Sequence, residues 1–141
     1  MKLVDVSKRM DESLIREIFA LAVGYPTPEK LAALARQYES DPSWSAFALF
    51  DGVVPTGVIG LVQQAPGRVQ IRYIAVSPAR QRAGIGRRLI EGVRKGGAVS
   101  GLHAETHAGA VPFYRRCGFT VTSLGELWPG VERFACCWRA G

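Results

Sequence analysis

A short glycine-containing loop between a predicted strand and a predicted amphipathic helix is the part of this sequence best suited to bind an anion. It lies within the segment from Val69 to Ile90, VQIRYIAVSPARQRAGIGRRLI. The first N–H groups of a helix have no intrahelical acceptor, and the helix dipole places partial positive charge at the same end. Gly84 and Gly86 leave room for a phosphate to approach the main chain closely. The segment therefore predicts an anion site at the start of the helix.

The wider pattern around this loop is more specific than the glycines alone. Gln81-Arg82-Ala83-Gly84-Ile85-Gly86 resembles the Q/R-x-x-G-x-G/A signature of GNAT N-acetyltransferases, and it follows a strand that ends Ile74-Ala75-Val76-Ser77-Pro78. A Walker loop would need a terminal Gly-Lys-Ser/Thr, and a dinucleotide fingerprint would need a longer glycine spacing and a downstream acid. The pattern favours the GNAT resemblance over both alternatives.

A second segment resembles the same family. It runs from Ala110 to Phe119, AVPFYRRCGF, and is similar to the family's A-x-x-F-Y-x-x-x-G-F segment. The resemblance implies an α/β (α+β) fold, with a mixed, mostly antiparallel sheet of about six or seven strands flanked by about four helices. It also implies direct transfer of an acetyl group from acetyl-CoA, as cosubstrate, to a primary amine, without a metal.

The resemblance also assigns residues to the cosubstrate. The strand residues Ile74, Ala75 and Val76 match the positions that hold the pantetheine arm through main-chain groups. The loop and the helix start match the pyrophosphate cradle, which here comprises Gln81, Arg82, Ala83, Gly84, Ile85, Gly86 and Arg87.

Tyr114 matches the tyrosine that protonates the departing CoA thiolate in many members of the family. A phenol with an unperturbed pKa near 10 stays protonated at neutral pH, whereas a free thiol has a pKa near 8.5, so the phenol can act as the donor. The alternative is that the Phe113-Tyr114 pair on a short helix only packs in the core.

The general base is left open by the sequence. The strand from Val69 to Val76 offers Gln70 and Arg72 but no carboxylate, where several relatives carry a glutamate. Glu105 and His107, at the end of the next predicted strand, are the nearest titratable groups, and a water molecule is the third candidate. His107 also lies three residues before Ala110, where many members have an asparagine that contacts the pantetheine.

The predicted elements alternate in the order β-α-α-β-β-β-α-β-α-β-β around one core, which indicates a single domain over residues 1–141. Asp11 or Ser13 is expected to cap the first helix, and Thr27 the second. The remaining predicted ranges are Lys2–Val6, Ala46–Phe50, Gly57–Gln63, Val69–Val76, Gly84–Lys95 ended by Gly96-Gly97, Leu102–Thr106, Ala110–Arg116, Thr120–Ser123 and Glu132–Trp138.

Two alternative functions follow from charge and from the missing strand carboxylate. The net charge is +6, with many arginines near the predicted cofactor helix, and such a cluster attracts polyanions. A strand from Leu102 follows that helix, where a helix-turn-helix would need a second helix, so a nucleic-acid-binding module is disfavoured. A protein that binds acyl-CoA as a sensor without turnover is the second alternative.

The acceptor and the cellular setting are less well defined. The acceptor is expected to be a small-molecule or peptide amine, selected by the loops Gly24-Tyr25-Pro26 and Leu124 to Gly130, the latter with Trp128. No run of about 18 apolar residues is present, so we expect a cytoplasmic protein with no membrane partner. The sequence leaves open whether the protein forms a homodimer. The three cysteines, Cys117, Cys136 and Cys137, are expected to be buried thiols.

Overall fold

The computed structural model describes residues 2–96 and 99–141. Within these residues it has one seven-stranded sheet, four α-helices and two short 3₁₀ turns, Pro78–Arg80 and Ala108–Ala110. The elements are β1 (Val4–Asp5), α1 (Ser13–Ala20), α2 (Pro28–Ser40), β2 (Trp44–Asp51), β3 (Val54–Ala65), β4 (Arg68–Val76), α3 (Ile85–Lys95), β5 (Gly101–His107), α4 (Val111–Arg116), β6 (Thr120–Trp128) and β7 (Val131–Arg139). This order and fold class confirm the prediction.

The strand order across the sheet is β1-β2-β3-β4-β5-β7-β6. Every pair is antiparallel except β4–β5, which is parallel. Parallel neighbours need a crossover connection, and α3 provides it. The mixed, mostly antiparallel sheet is therefore as predicted.

A hydrophobic core lies on each face of the sheet. On one face α3 packs through Ile85, Leu89, Ile90 and Val93, the residues predicted for its apolar side, together with Tyr114 and Phe119. On the other face α1 and α2 contribute Ile15, Phe19 and Tyr38. Within the described residues no helix is long and apolar enough to cross a membrane.

The ends of several elements differ from the prediction. Thr27 caps α2 as expected, because its hydroxyl accepts a hydrogen bond from Lys30 N–H at 3.1 Å. The capping residue of α1 is Glu12, and its carboxylate pairs with Arg9 at 2.8 Å instead of capping the helix. The predicted cap by Asp11 or Ser13 is therefore wrong. The predicted stop at Gly97 lies outside the described residues.

The C-terminal strands are longer than predicted. The region from Leu124 to Gly130 is a continuation of β6 followed by a tight turn, not an irregular connection. Cross-strand pairing with β7 extends the hairpin through exposed residues, among them Leu124, Leu127 and Trp128, which show no alternation of buried and exposed side chains. Along β7 the side chains alternate between faces, so Cys136 is buried while Cys137 is exposed, and the expectation of a third buried thiol is wrong.

Candidate active site

The site is built around a gap in the middle of the sheet. The parallel pairing of β4 with β5 involves only Arg68–Gln70 and Gly101–His103. Beyond these residues β4 continues to Val76 and β5 to His107 without pairing to each other. The main-chain groups of β4 that face the gap therefore have no strand partner, which makes them available to a ligand.

A bulge in β4 lies where the gap opens. Gly60 of β3 is opposite Tyr73 and Leu61 is opposite Ile71, so Arg72 has no counterpart in β3. The guanidinium of Arg72 lies over the Trp44 ring, and the Tyr73 ring packs edge-on against Phe19. Two consecutive side chains therefore face the α1–α2 side of the sheet, as expected at a bulge.

A cavity of about 560 Å³ lies on the α3–α4 side of the gap. All the predicted cofactor-binding residues line it except Ala83, which is exposed. The lining comprises Ile74, Ala75, Val76, Arg80, Gln81, Arg82, Gly84, Ile85, Gly86, Arg87, Phe113, Arg116 and Cys117. We call this space the cofactor cavity.

The loop before α3 has the geometry of an anion cradle. Arg82 and Gly84 both have left-handed backbone conformations, with φ of 68° and 76°. The first backbone hydrogen bond of α3 runs from Arg88 N–H to the carbonyl of Gly84 at 3.0 Å. Among the described residues, the N–H groups of Ile85, Gly86 and Arg87 therefore have no backbone acceptor, as expected for the first turn of a helix.

The two glycines of the loop serve different purposes. A Cβ on Gly84 would meet nothing within 4 Å, so this position is open toward the cavity, and its positive φ favours glycine. A Cβ on Gly86 would lie 3.0 Å from a ring carbon of Phe113. Gly86 therefore allows α3 to pack closely against α4, a role that differs from the predicted one of admitting the phosphate.

Four residues of the cofactor cavity were missed by the sequence reasoning. They are Arg80, Phe113, Arg116 and Cys117. The last three follow the i, i+3, i+4 spacing of one helical face, and this periodicity of AVPFYRRCGF was the signal that could have found them. Arg80 pairs with Asp51 of β2, a contact that local sequence does not reveal.

Tyr114 does not line the cofactor cavity. It is buried, and its ring packs edge-on against Phe113 and Phe119, with centroid distances of 5.2 Å in each case. Burial is the main cause that raises the pKa of its hydroxyl above the ordinary value. The phenol is therefore protonated throughout the neutral range. Both core packing and proton donation are compatible with this position.

A second cavity, of about 420 Å³, lies on the other side of the gap, and Tyr114 lines it. Its other lining residues are Leu21, Ala22, Ile71, Arg72, Tyr73, Ile74, Glu105, Thr106, His107, Ala110, Phe113 and Arg133. Ile74 and Phe113 line both cavities, so the two spaces adjoin at these side chains. We call the second space the acceptor cavity and the shared point the junction.

The two side chains suggested as general base, Glu105 and His107, both lie in the acceptor cavity. Nδ1 of His107 accepts a hydrogen bond from Gly109 N–H at 3.1 Å and so caps the turn before α4. A neutral imidazole has one lone pair on nitrogen, and here that bond uses it. Glu105 is exposed, and its carboxylate is 4.0 Å from Nε2 of His103.

The loops expected to select the acceptor line neither cavity. Gly24-Tyr25-Pro26 stands beyond the end of α1, and Tyr25 is 92% exposed. Leu21 and Ala22, just before that loop, reach the acceptor cavity instead. Trp128 is at the end of the β6–β7 hairpin and is exposed.

Comparison with known proteins agrees with this geometry. An acetyltransferase (GNAT) domain model matches residues 42–121. An acetyltransferase from Thermus thermophilus is 22% identical over 99% of this chain and 98% of its own, with a TM-score of 0.79. The ribosomal-protein-S18-alanine N-acetyltransferase from Escherichia coli is 21% identical over 99% and 96%, with a TM-score of 0.75.

A Bacillus subtilis acetyltransferase in complex with CoA is 19% identical over 99% of each chain, with a TM-score of 0.70. At such identities these structures establish the fold alone. No curated protein sequence matches this chain. The domain model, however, covers more than half of the sequence, from β2 to the start of β6. The chain therefore belongs to the GNAT acetyltransferase family and is an acetyl-CoA-dependent acyltransferase.

Proposed function

We propose that this protein transfers the acetyl group of acetyl-CoA directly to a primary amine of a small acceptor. The observation that carries the proposal is the junction, where a cavity at a helix start and a second cavity adjoin across the gap between β4 and β5. A thioester that enters from one side can meet an amine that enters from the other. Two structural neighbours also support the proposal. One was solved with CoA, and another is named as an N-acetyltransferase.

The cofactor cavity fits acetyl-CoA in its chemistry. The free N–H groups at the start of α3 suit the pyrophosphate, and Arg82, Arg87 and Arg116 add positive charge around it. Ile74, Ala75 and Val76 line the same cavity on β4, whose main-chain groups suit the amide groups of the pantetheine arm. In this arrangement the thioester lies at the junction.

Direct transfer is favoured over an acetyl-enzyme intermediate. Cys117 is the thiol that lines the cofactor cavity, but it is buried, and burial is the main cause that raises its pKa. The thiolate is the nucleophilic form of cysteine, so a raised pKa makes this thiol a poor nucleophile. The amine of the acceptor therefore attacks the thioester itself, and the C–S bond breaks as the C–N bond forms.

Two proton transfers complete the reaction. The attacking amine loses a proton, and Glu105 is the carboxylate that lines the acceptor cavity, placed to take that proton directly or through water. The leaving thiolate gains a proton from Tyr114, whose hydroxyl stays protonated for the reason given above. Both roles are proposals that substitution can test.

Cosubstrate binding is tested by calorimetry with CoA and two matched variants, Gly84→Asp and Gly84→Asn. Both side chains tolerate left-handed backbone and have similar size, so they differ mainly in charge. We expect Gly84→Asp to weaken CoA binding about 10- to 100-fold relative to Gly84→Asn, because a carboxylate would stand beside the phosphates. Equal affinities for the two variants would contradict the proposed pyrophosphate position.

Turnover is tested by release of free thiol from acetyl-CoA in the presence of a panel of amines, with a control reaction that lacks an amine. Amine-dependent thiol release, with an N-acetylated product detected by mass spectrometry, supports the proposed function. Tight CoA binding without turnover on any amine would instead favour the acyl-CoA sensor.

A further inference from the structure

The acceptor cavity carries an excess of positive charge. Its ionisable lining residues, apart from the two tyrosines, are Arg72, Arg133, Glu105 and His107. In the part of the chain that the structure describes, no carboxylate lies within salt-bridge distance of either arginine. The cavity thus holds two guanidinium groups without ion-pair partners and one carboxylate.

The two arginines come from different strands and are placed by the fold. The β4 bulge turns Arg72 toward this side of the sheet, where its guanidinium centre lies 5.5 Å from the centroid of the Trp44 ring. This cation–π contact places the guanidinium beside the indole ring, and Arg72 remains exposed, so its N–H groups are available to a ligand. Arg133 lies on β7 directly opposite His107 of β5, at the far side of the gap.

We propose that the acceptor amine also carries a negatively charged group, a carboxylate or a phosphate, which Arg72 and Arg133 bind while the amine lies at the junction. This inference rests on the proposed function. A guanidinium offers a planar set of donors that fits such oxyanions. A neutral acceptor would cover both arginines without giving them a partner, and a polyamine would add cations to a cavity that is already positive.

The test compares matched acceptors that differ in this charge. The pairs are alanine with alaninamide, phenylalanine with phenylalaninamide, and phosphoethanolamine with ethanolamine. We expect the anionic member of at least one pair to have a kcat/KM roughly 10- to 100-fold higher, the range for hydrogen bonds to a charged group. The amine of an amino-acid amide is less basic than that of the amino acid, so amine basicity alone would favour the amide. The amino-acid and phosphate pairs distinguish the two kinds of anion.

Variants assign the preference to the two arginines. In Arg133→Gln and in Arg72→Gln, kcat/KM for the anionic acceptor should be less than about three times that for its neutral partner. The affinity for CoA should stay unchanged in both variants. Arg36→Gln removes the same charge from the exposed side of α2, outside both cavities, and should keep the full preference. Because Arg133 lies outside the bulge, its variant remains informative even if Arg72→Gln disturbs β4.

The outcomes separate this inference from the proposed function. Equal kcat/KM for the members of every pair, or a preference for spermidine, would overturn the inference and leave the N-acetyltransferase standing. If no amine is acetylated although CoA binds, the proposed function fails, and binding of N-acetylphenylalanine and its amide to the CoA-loaded protein decides the inference. Preferential binding of the acid that Arg133→Gln abolishes would support an anion site, and equal binding would overturn it.

Discussion

The position of Tyr114 is compatible with two roles, packing in the core and protonation of the leaving thiolate. If it is only a packing residue, removal of its hydroxyl leaves the rings of Phe113 and Phe119 in place and changes little. If it protonates the leaving thiolate, Tyr114→Phe should lower kcat by about 10²- to 10⁴-fold while CoA affinity is retained. Steady-state kinetics and calorimetry on the same preparation separate the two cases.

A matched control for Tyr114→Phe is available in Tyr38→Phe. Tyr38 is also buried, and burial is likewise the main cause that raises its pKa, but it lines neither cavity. Its substitution should leave kcat unchanged.

The pH dependence of the rate gives a second test of Tyr114. Because burial keeps its hydroxyl protonated at pH values above the ordinary pKa of a phenol, the rate should rise with pH as the acceptor amine deprotonates, without declining below about pH 10. An alkaline decline near pH 8 would contradict Tyr114 as the acid.

Glu105 and His107 can be distinguished by one conservative substitution at each position. Glu105→Gln should lower kcat/KM about 10²-fold or more, because an amide cannot accept the amine proton. His107→Asn should stay within about threefold of wild type, because a side-chain oxygen can still accept the Gly109 N–H bond that caps the turn before α4. A large loss in His107→Asn with little change in Glu105→Gln would reverse this assignment.

At the residue scale, the lining of a cavity could be predicted where one local segment supplies it. The loop from Gln81 to Arg87 carries its own geometry in its glycines, so its cavity lining could be predicted apart from Ala83. The acceptor cavity could not be predicted in the same way. Arg72 on β4 and Arg133 on β7 line this cavity from opposite sides of the gap, and local sequence does not reveal that they share it.

At the scale of elements, the range of α3 was predicted accurately, whereas β3 begins at Val54, three residues before its predicted start at Gly57. The apolar positions of α3 repeat at helical spacing because that face packs on the sheet, and its range could be predicted to within one residue. Beyond Ser123 both faces of the β6–β7 hairpin are largely exposed, so main-chain pairing sets its length. Such pairing requires no periodic pattern of apolar side chains that the sequence could show. The extent of the hairpin was underestimated for that reason.

Arg94 links three elements behind the site. Arg87 and Arg88 of α3 are exposed, whereas Arg94 is partly buried. Its guanidinium donates to the carbonyl of Cys117 at the end of α4 and lies 4.6 Å from the ring centroid of Trp138 on β7. It therefore fixes the position of α4 relative to α3, and with it the side chains of Phe113 and Tyr114.

At the scale of the whole molecule, the sheet has a narrow connection at its centre. β1 to β4 form one continuous antiparallel part and β5 to β7 form another. Among the residues that the structure describes, only the short parallel pairing near Gln70 and His103 joins them through the sheet. The core around α3 spans this connection on one face, since it contains residues of β3, β5 and β7. The cofactor cavity is lined from both parts, by β4 and α3 on one side and by α4 on the other.

A ligand in that cavity should therefore stabilise the molecule as a unit. At 100 times its dissociation constant, CoA should add about 2.7 kcal/mol to the free energy of unfolding, equivalent to a rise in Tm of roughly 10 °C for a chain of this size. Amide exchange should slow in both α3 and α4, because the ligand contacts both and opening of the gap would release it. At the same CoA concentration both effects should be clearly smaller in Gly84→Asp than in Gly84→Asn. Protection confined to the loop and α3, with α4 unchanged, would mean that CoA binds to one part of the sheet only and that the junction is not formed by the bound cosubstrate.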